Sequence, residues 1–433
     1  MAVAKELDLW QLSEYTAMKP GLERIKAFLA AIGNPEKRFK AVHIAGTNGK
    51  GSTAIMIASI LESAGYKTGL YISPHLVRLN ERISVNSRQI DSKRLADIGG
   101  RYYGLAKKYN LTFFEFITAI AFIYFTERNI DIAVLETGLG GRFDATNVIE
   151  SPLIAIITGI DYDHTQILGK TITEIAGEKA GIIKQKCFVL SGAENKAASC
   201  IIRKAAEKNK CVFWEIKKDF KNKYIKTDWK CCTQYVRYSG AGRDISLRVP
   251  LLGIYQRKNS SLAAAAAQML NELGFLITDK AVVNGIANAK WPGRFDVRQA
   301  EVNGCNRTII LDGAHNPQAM SSFVSSFKES RWAEKSKNVI FGVLQDKDYI
   351  RVAKEALKLG GSFMLTPVKS RRTLDKAELE TMFKTVCKNN SFAVTGSLEE
   401  ALSKTDESVI VITGSLYLVG EALKKLNIKG TRS

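Results

Sequence analysis

No apolar run in this sequence approaches the roughly 20 residues that a helix needs to cross a bilayer. The opening stretch MAVAKELDLWQLSEY has no apolar signal core and carries acidic residues early, so no secretory leader is expected there. Cysteine is sparse: seven residues, an odd number, with no CxxC pair. Cys231 and Cys232 are adjacent, which suits neither a zinc knuckle nor an ordinary disulfide. Free thiols in a reducing compartment are the expectation, and with them a soluble, cytoplasmic protein. Histidine is scarcer still, at four. There is no internal repeat, no low-complexity linker and no RNA-binding motif with regular basic–aromatic interleaving. Acidic residues are outnumbered, 43 against 63 basic ones, for a net charge of +20. That balance suits an anionic partner such as a nucleotide, a polycarboxylate or a nucleic acid; it equally suits a basic proteome or a solvated surface. The run KKDFKNKYIKTDWK, from Lys217 to Lys230, reads as an exposed face.

The 433 residues are enough for two or three domains, and 45% of them are hydrophobic, enough for a large core. Short β-branched runs alternate with longer amphipathic segments, the signature of a mostly parallel α/β sheet. The expected strands are KAVHIAG, IDIAVLETG, LIAIITGID, RTIILDGA, KNVIFGVL, GSFMLTP and SVIVITGS; helices are expected at STAIMIASILESAG and SSLAAAAAQMLNELG. The stretch from Cys211 to Arg248 is short-patterned, aromatic and basic, and predicts a small antiparallel hairpin set. In WPGRFDV, Pro292 and Gly293 break a helix before new strands begin. A boundary is placed there, giving an N-terminal domain of residues 1–297 and a smaller α/β domain of residues 298–433.

In open α/β sheets ligands bind beyond the carboxyl ends of the strands, so what each strand delivers there matters most. The first delivers AGTNGKGS and then a helix. This is not the usual phosphate-loop spelling: Gly51 stands between Lys50 and Ser52, and Ile44 stands where the first glycine belongs. Even so, Gly46, Gly49 and Gly51 allow backbone N–H groups to turn inward, and the helix N-terminus favours an anion. Lys50 can reach β- and γ-phosphates, and Ser52 or Thr53 can offer a hydroxyl to Mg²⁺. A glycine-rich turn with a solvated lysine is the weaker reading. The second strand ends in Glu136, a carboxylate where nucleotide-bound Mg²⁺ needs oxygen. The following TGLGGRFDATN is no dinucleotide fingerprint, since Phe143 occupies the third glycine position, and it reads as a loop lining the substrate site. The third strand leads to Asp163 and His164; beyond it Lys179 lies in TEIAGEKAGIIK, where a solvated lysine is the default. ILDGAHNP places Asp312 and His315 after the first strand of the second domain. Three of the four histidines, His75, His164 and His315, sit beside candidate site segments.

These segments resemble the folylpolyglutamate synthase and dihydrofolate synthase family of the Mur ligase superfamily. The resemblance rests on KPGLERI, HIAGTNGKGST, ISPHLVRLNERI, FFEFITAIAF, ETGLGGRFDATN, DHTQILG, IAGEKAGIIK, YQRKN, WPGRFD, LDGAHNP and VITGSLYLVGEA, in the family order over nearly the whole chain. It implies a P-loop-type ATPase domain with a mostly parallel sheet and a small antiparallel subdomain, followed by a Rossmann-like α/β domain. It implies ATP as cosubstrate, with Asn48, Gly49, Lys50, Gly51, Ser52 and Thr53 on the phosphates and Asn259, Arg294 and Asp312 as further nucleotide contacts. It implies two Mg²⁺ ions, held by Ser52, Ser73, Glu136 and His164 and by Lys179, which aligns with a carbamylated family lysine. Gly21, Phe114 and Ala145 fall in segments that flank the pterin pocket of relatives, and the loop from Ser73 to Ile83 matches a mobile loop beside it. Phe143 replaces a common leucine, DYDHT replaces GLDHT, and Lys217 to Arg243 follows no family motif. GTNGKGS and GAHNP favour the folate branch over the peptidoglycan ligases.

The implied reaction is ATP-dependent amide formation through an acyl phosphate, joining L-glutamate to a folate, to dihydropteroate or to both. Lys50 and Lys179 would be catalytic, and His315 would orient phosphate or assist proton movement. No nucleic acid or membrane partner is implied, and the expected state is a monomer. Two rival classes stay open at this point: a nucleotide switch or nucleic-acid-stimulated ATPase, which the charge favours, and a catalytically silent binding protein, against which the intact set Lys50, Ser52, Glu136, His164 and Lys179 argues.

Overall fold

A computed structural model describes residues 20–387 and 390–426; the N-terminal stretch read above lies outside them. The chain forms two compact units, one of Met1–Lys223, Val236–Leu247 and Lys258–Ala289, the other of Tyr224–Tyr235, Arg248–Arg257 and Lys290–Ser433.

The first unit is built on an eight-stranded sheet. Its strands are β1 (Lys40–Ala45), β2 (Thr68–Tyr71), β3 (Ile83–Val85), β4 (Arg88–Gln89), β5 (Ile132–Glu136), β6 (Ile154–Ile157), β7 (Phe188–Ser191) and β8 (Val212–Glu215). Their order is β4-β3-β2-β5-β1-β6-β7-β8. Pairing is parallel from β2 to β8, and β3 and β4 add an antiparallel edge. β1 lies at the centre between β5 and β6, and all but its first residue are buried. Parallel strands covered on both faces read as continuous apolar runs, which is why β1, β5 and β6 are legible in the sequence. The helix Phe113–Glu127 supplies much of the cover. Thr112 and Glu115 cap it reciprocally, and Phe116, Ile120, Phe122 and Phe125 bury almost completely.

One expectation needs correction. Val212–Glu215 does not belong to an antiparallel set; it pairs parallel with β7. The helix Lys196–Lys208 between β7 and β8 makes the crossover that parallel neighbours require. The antiparallel three-stranded sheet begins later, with β9 (Phe220–Asp228), β10 (Thr233–Gly240) and β11 (Arg243–Val249) in the order β11-β10-β9.

The second unit carries a six-stranded sheet of β12 (Asp296–Val302), β13 (Cys305–Asp312), β14 (Lys337–Phe341), β15 (Ser362–Leu365), β16 (Phe392–Val394) and β17 (Val409–Thr413), ordered β12-β13-β17-β14-β15-β16. Only the β12–β13 hairpin is antiparallel. β17 inserts between β13 and β14, so the strand order reverses there, and the C-terminal end of β13 is a place where a ligand crevice forms in such sheets. In the core Phe295 packs edge-on to Phe323 and stacked on Phe327, and Trp332 packs edge-on to Trp229. The mixed α/β architecture expected from the sequence is the one observed. No helix among the described residues is long and apolar enough to cross a membrane.

Candidate active site

The loop after β1 is shaped by two glycines in backbone conformations that side chains rarely adopt, Gly46 at φ 153° and Gly49 at φ 90°. A Cβ on Gly49 would lie 2.5 Å from Asn259 Oδ1, and one on Gly46 would collide with Thr158 Oγ1. Thr158 Oγ1 donates to the Asn48 carbonyl at 2.8 Å, and Thr47 N donates to Gly159 O at 2.8 Å. Thr47 Oγ1 donates to Asp161 O and accepts from Asp161 N, both at 3.0 Å. The loop is thus clamped to the segment after β6. It opens into the helix Lys50–Ser63, whose first turn closes with Thr53 N donating to Gly49 O at 2.9 Å. Successive N–H groups at the start of this helix have no carbonyl ahead of them, which is the arrangement that binds phosphate. Ser52 and Thr53 are buried there, and Thr53 Oγ1 finds no hydrogen-bond partner within the described protein.

Two amines meet on one oxygen. Lys50 Nζ donates to Gly46 O at 3.1 Å and to Thr47 O at 3.4 Å. Lys179 Nζ donates to the same Gly46 O at 3.0 Å. Lys179 belongs to the helix Ile172–Ala180 and is only 4% exposed, so the solvated side chain suggested by its local pattern is not observed. A buried ammonium is costly unless its charge is met or removed, and a second ammonium on the same carbonyl adds to that cost.

Glu136, buried at the end of β5, stands beside Ile44 of β1 in the sheet register. Its Oε2 accepts from Ser73 N at 3.0 Å. His164 follows three residues after Asp161, in a left-handed conformation at φ 50°, and its N–H donates to Asp163 Oδ1 at 2.9 Å. His75 accepts from Arg82 Nε at 2.9 Å; burial and then that guanidinium lower its pKa to about 3, so the ring is neutral.

The loop from Gly138 to Val148 is organised by Asp144. Its carboxylate accepts from Gly138 N at 2.8 Å, Leu139 N at 2.9 Å and Thr146 N at 3.0 Å, and from Thr146 Oγ1 at 2.5 Å. Burial raises its pKa, and these hydrogen bonds oppose the rise. Phe114 covers Gly138 so closely that a Cβ there would strike its ring. Ala145 begins the short turn Ala145–Val148 and is buried, while Gly21 sits at φ 117°. A cleft of about 540 Å³ opens between Pro20, residues 139–143 with the half-exposed Phe143, residues 167–169, and Glu174, Gly177 and Glu178. Phosphate-loop residues do not line it.

In the second unit, Asp312 ends β13 and accepts from Phe295 N at 2.8 Å, Ala314 N at 2.8 Å and Tyr255 Oη at 3.0 Å. Burial raises its pKa and the neighbouring Arg294 opposes that; burial likewise pushes the Tyr255 phenol well up. The Nδ1–H of His315 donates to Gly313 O at 2.8 Å. Lys50, Ser52, Thr53, Lys179 and Asn259 therefore gather on the phosphate loop, with Glu136 and Ser73 at the neighbouring strand ends. Arg294, Asp312 and His315 gather in the second unit. Sequence reasoning missed Tyr255, Thr158 and Asp144; only Asp144, preceding a turn, carried a local signal.

Among the described residues no three His, Cys, Asp or Glu side chains converge as a ready metal cage. Mg²⁺ keeps waters and phosphate oxygens and takes only one or two protein carboxylates. The hydroxyls of Ser52 and Thr53 and the carboxylate of Glu136 are hard oxygen donors of the required kind.

The Mur ligase middle domain family matches residues 44–267, and the dihydrofolate synthetase C-terminal domain family matches residues 295–425. The dihydrofolate synthase/folylpolyglutamate synthase of Bacillus subtilis is 34% identical over 94% of this chain and 95% of its own length. The crystal structure of folylpolyglutamate synthase from Thermotoga maritima is similar at 35% identity and a TM-score of 0.85, covering 99% of this chain and 98% of that one. Mycobacterium tuberculosis folylpolyglutamate synthase, solved with ADP and AMPPCP, superposes with a TM-score of 0.89 at 27% identity over the full length of both chains.

Proposed function

We propose that this chain, which belongs to the folylpolyglutamate synthase and dihydrofolate synthase family, is an ATP-dependent ligase that joins L-glutamate to a pterin-bearing carboxylic acid. The observation that carries the reading is the clamped loop 46–53, where the backbone bends at Gly49, Lys50 stands at the helix start and Thr53 holds a buried hydroxyl with no partner. It is a cradle for a triphosphate, and relatives of the same fold bind ADP and AMPPCP.

The substrate carboxylate attacks the γ-phosphorus, ADP leaves, and an acyl phosphate forms. The α-amine of glutamate then attacks the acyl carbon; the C–O bond to phosphate breaks, and the amine gives up its proton. The chain's part is placement and charge. The N–H groups of residues 49–52 and the Lys50 ammonium hold the phosphates, with Asn259 packed against Gly49. In the second unit, Arg294, Asp312 and His315 are proposed for nucleotide or phosphate. Phe114, Ala145 and Gly21 border the pterin site. Magnesium, bound through Ser52, Ser73, Glu136 and His164, would neutralise charge on the transferring phosphoryl group.

Lys179 is read as a carbamate and ligand of a second ion. Two ammonium groups on the Gly46 carbonyl repel each other, whereas a carbamate keeps one N–H for that carbonyl and offers Lys50 an anion. The seven free thiols suit a reducing cytoplasm, and the enzyme is read as a monomer.

The test is ADP release with L-glutamate and either tetrahydrofolate or dihydropteroate. The wild type should require both glutamate and one acceptor, Lys50→Ala should abolish release, and Lys179→Ala should lose it while bicarbonate partly restores a CO₂-depleted wild type. Turnover without acceptor and glutamate would overturn the reading. Near-normal turnover by Lys179→Ala would remove the carbamate.

A further inference from the structure

The fourth histidine has no place in the reaction described so far. His43 lies in the middle of β1, the central strand, and is fully buried. A polar ring there displaces an aliphatic side chain that the strand would otherwise carry, so its contacts must explain it. Its Nε2 is 2.7 Å from Thr146 Oγ1, across 103 residues of sequence. Thr146 Oγ1 is in turn 2.5 Å from Asp144 Oδ1. Asp144 already receives three backbone N–H bonds, and the Thr146 hydroxyl donates to its Oδ1 as a fourth. The threonine proton therefore goes to Asp144, and the hydroxyl oxygen accepts from His43. That places a proton on Nε2, while the buried Nδ1 has no partner. Burial, aided by Lys184, keeps it neutral, with its pKa lowered to about 3.

The chain His43–Thr146–Asp144 has a geometric consequence. Asp144 gathers the N–H groups of Gly138 and Leu139, so it sets the course of the loop that lines the cleft. His43 sits three residues before Gly46, on the strand whose end becomes the phosphate loop. The chain thus ties the one loop to the strand that carries the other. A transfer between acceptor carboxylate and γ-phosphate depends on that registration, because an error of about 1 Å in placement can cost roughly a hundredfold in rate.

We infer that His43 is a positioning residue for the acceptor: through Thr146 and Asp144 it holds the loop 138–148 in register with the phosphate loop. This rests on the proposed ligase reading, in which that loop borders the acceptor site.

The test compares His43→Leu, His43→Gln, Thr146→Val and the double variant His43→Leu/Thr146→Val by steady-state ADP release and thermal melting. Leucine fills the space without a donor, glutamine keeps an N–H, and valine keeps the shape of threonine without its hydroxyl. His43→Leu and Thr146→Val should each raise the acceptor KM roughly tenfold while the ATP KM stays within about twofold. The double variant should be no worse than the worse single one, because both break the same chain. His43→Gln should recover most of the loss. A residue that only fills the core would instead lower the melting temperature without separating the two KM values, and glutamine would not rescue it. An unchanged acceptor KM, equal movement of both KM values, or additive losses overturn the inference. Should His43→Leu not fold, Thr146→Val decides alone. Wild-type protein that shows no ligase turnover would overturn the underlying reading, and the inference with it.

Discussion

Gly49 and Gly65 hold almost the same positive φ, 90° and 91°, in very different surroundings. Alanine in this left-handed region costs about 1–2 kcal/mol at either site. At Gly65 nothing lies within 4 Å of the added Cβ, so the backbone term stands alone. At Gly49 the Cβ would meet Asn259 Oδ1 at 2.5 Å and Cγ at 3.2 Å. Asn259 is buried, and moving a buried amide off its partners costs about 1–3 kcal/mol more. Gly65→Ala should therefore lose about 1–2 kcal/mol of stability, and Gly49→Ala about 2–5 kcal/mol. Because the two share the backbone term, the difference between them isolates the collision. The functional split should be sharper. A distorted loop misaims the N–H groups meant for the phosphates, so Gly49→Ala should raise the ATP KM roughly tenfold or more, equivalent to about 1.4 kcal/mol. Gly65→Ala should leave it unchanged. Denaturant melts and ATP titrations of ADP release measure both, and Gly49→Ala/Asn259→Ala should regain the collision energy without regaining ATP affinity. Equal stability losses for the two single variants would refute the collision. A wild-type ATP KM in a destabilised Gly49→Ala would take the loop out of the nucleotide site.

His43 and His75 both titrate near 3 when folded, against an ordinary value near 6.5, mainly because they are buried. The unfolded chain binds more protons between those values, so stability should rise with pH through that window and be lost as pH falls from about 6.5 toward about 3. Melting temperatures measured downward from about pH 7 should show this fall, and His75→Gln should flatten part of it; a flat wild-type profile would contradict the buried neutral rings. Gly141 packs on the helix Ile172–Ala180, where an added Cβ would sit 2.7 Å from Lys179 O and 2.8 Å from Glu178 O. Backbone cannot step aside as a side chain can, so Gly141→Ala should cost about 1–3 kcal/mol and raise the acceptor KM; an unaltered melt and KM would show that loop and helix are not in tight register.

What the sequence reveals and hides follows from how local each requirement is. β1, β5, β6, β14 and β17 are buried along nearly their whole length, β13 over its second half, and all announce themselves as apolar runs, whereas β4 is the exposed pair Arg88–Gln89 and carries no such pattern. Val212–Glu215 was misassigned because an aromatic, basic stretch follows it, and nothing in four residues tells which neighbour they pair with. The phosphate loop is legible because its need is conformational and is met within the segment, by glycines at the bends and a helix directly after. Lys179 is the opposite case. Its segment allows a solvated side chain, and only Gly46 O, 133 residues away in sequence, makes it a buried amine. Tyr255 gains its meaning from Asp312 and Thr158 from Asn48 in the same way. A distant partner leaves no mark on its own segment, but the cost of waiting for it can. A histidine placed amid Val42, Ile44 and Ala45 is expensive unless something answers it, so the lone buried polar residue of a central strand signals a partner before that partner is known. Thr146 is that partner, and for this reason the buried exception in the strand says more about the site than the three histidines in loops.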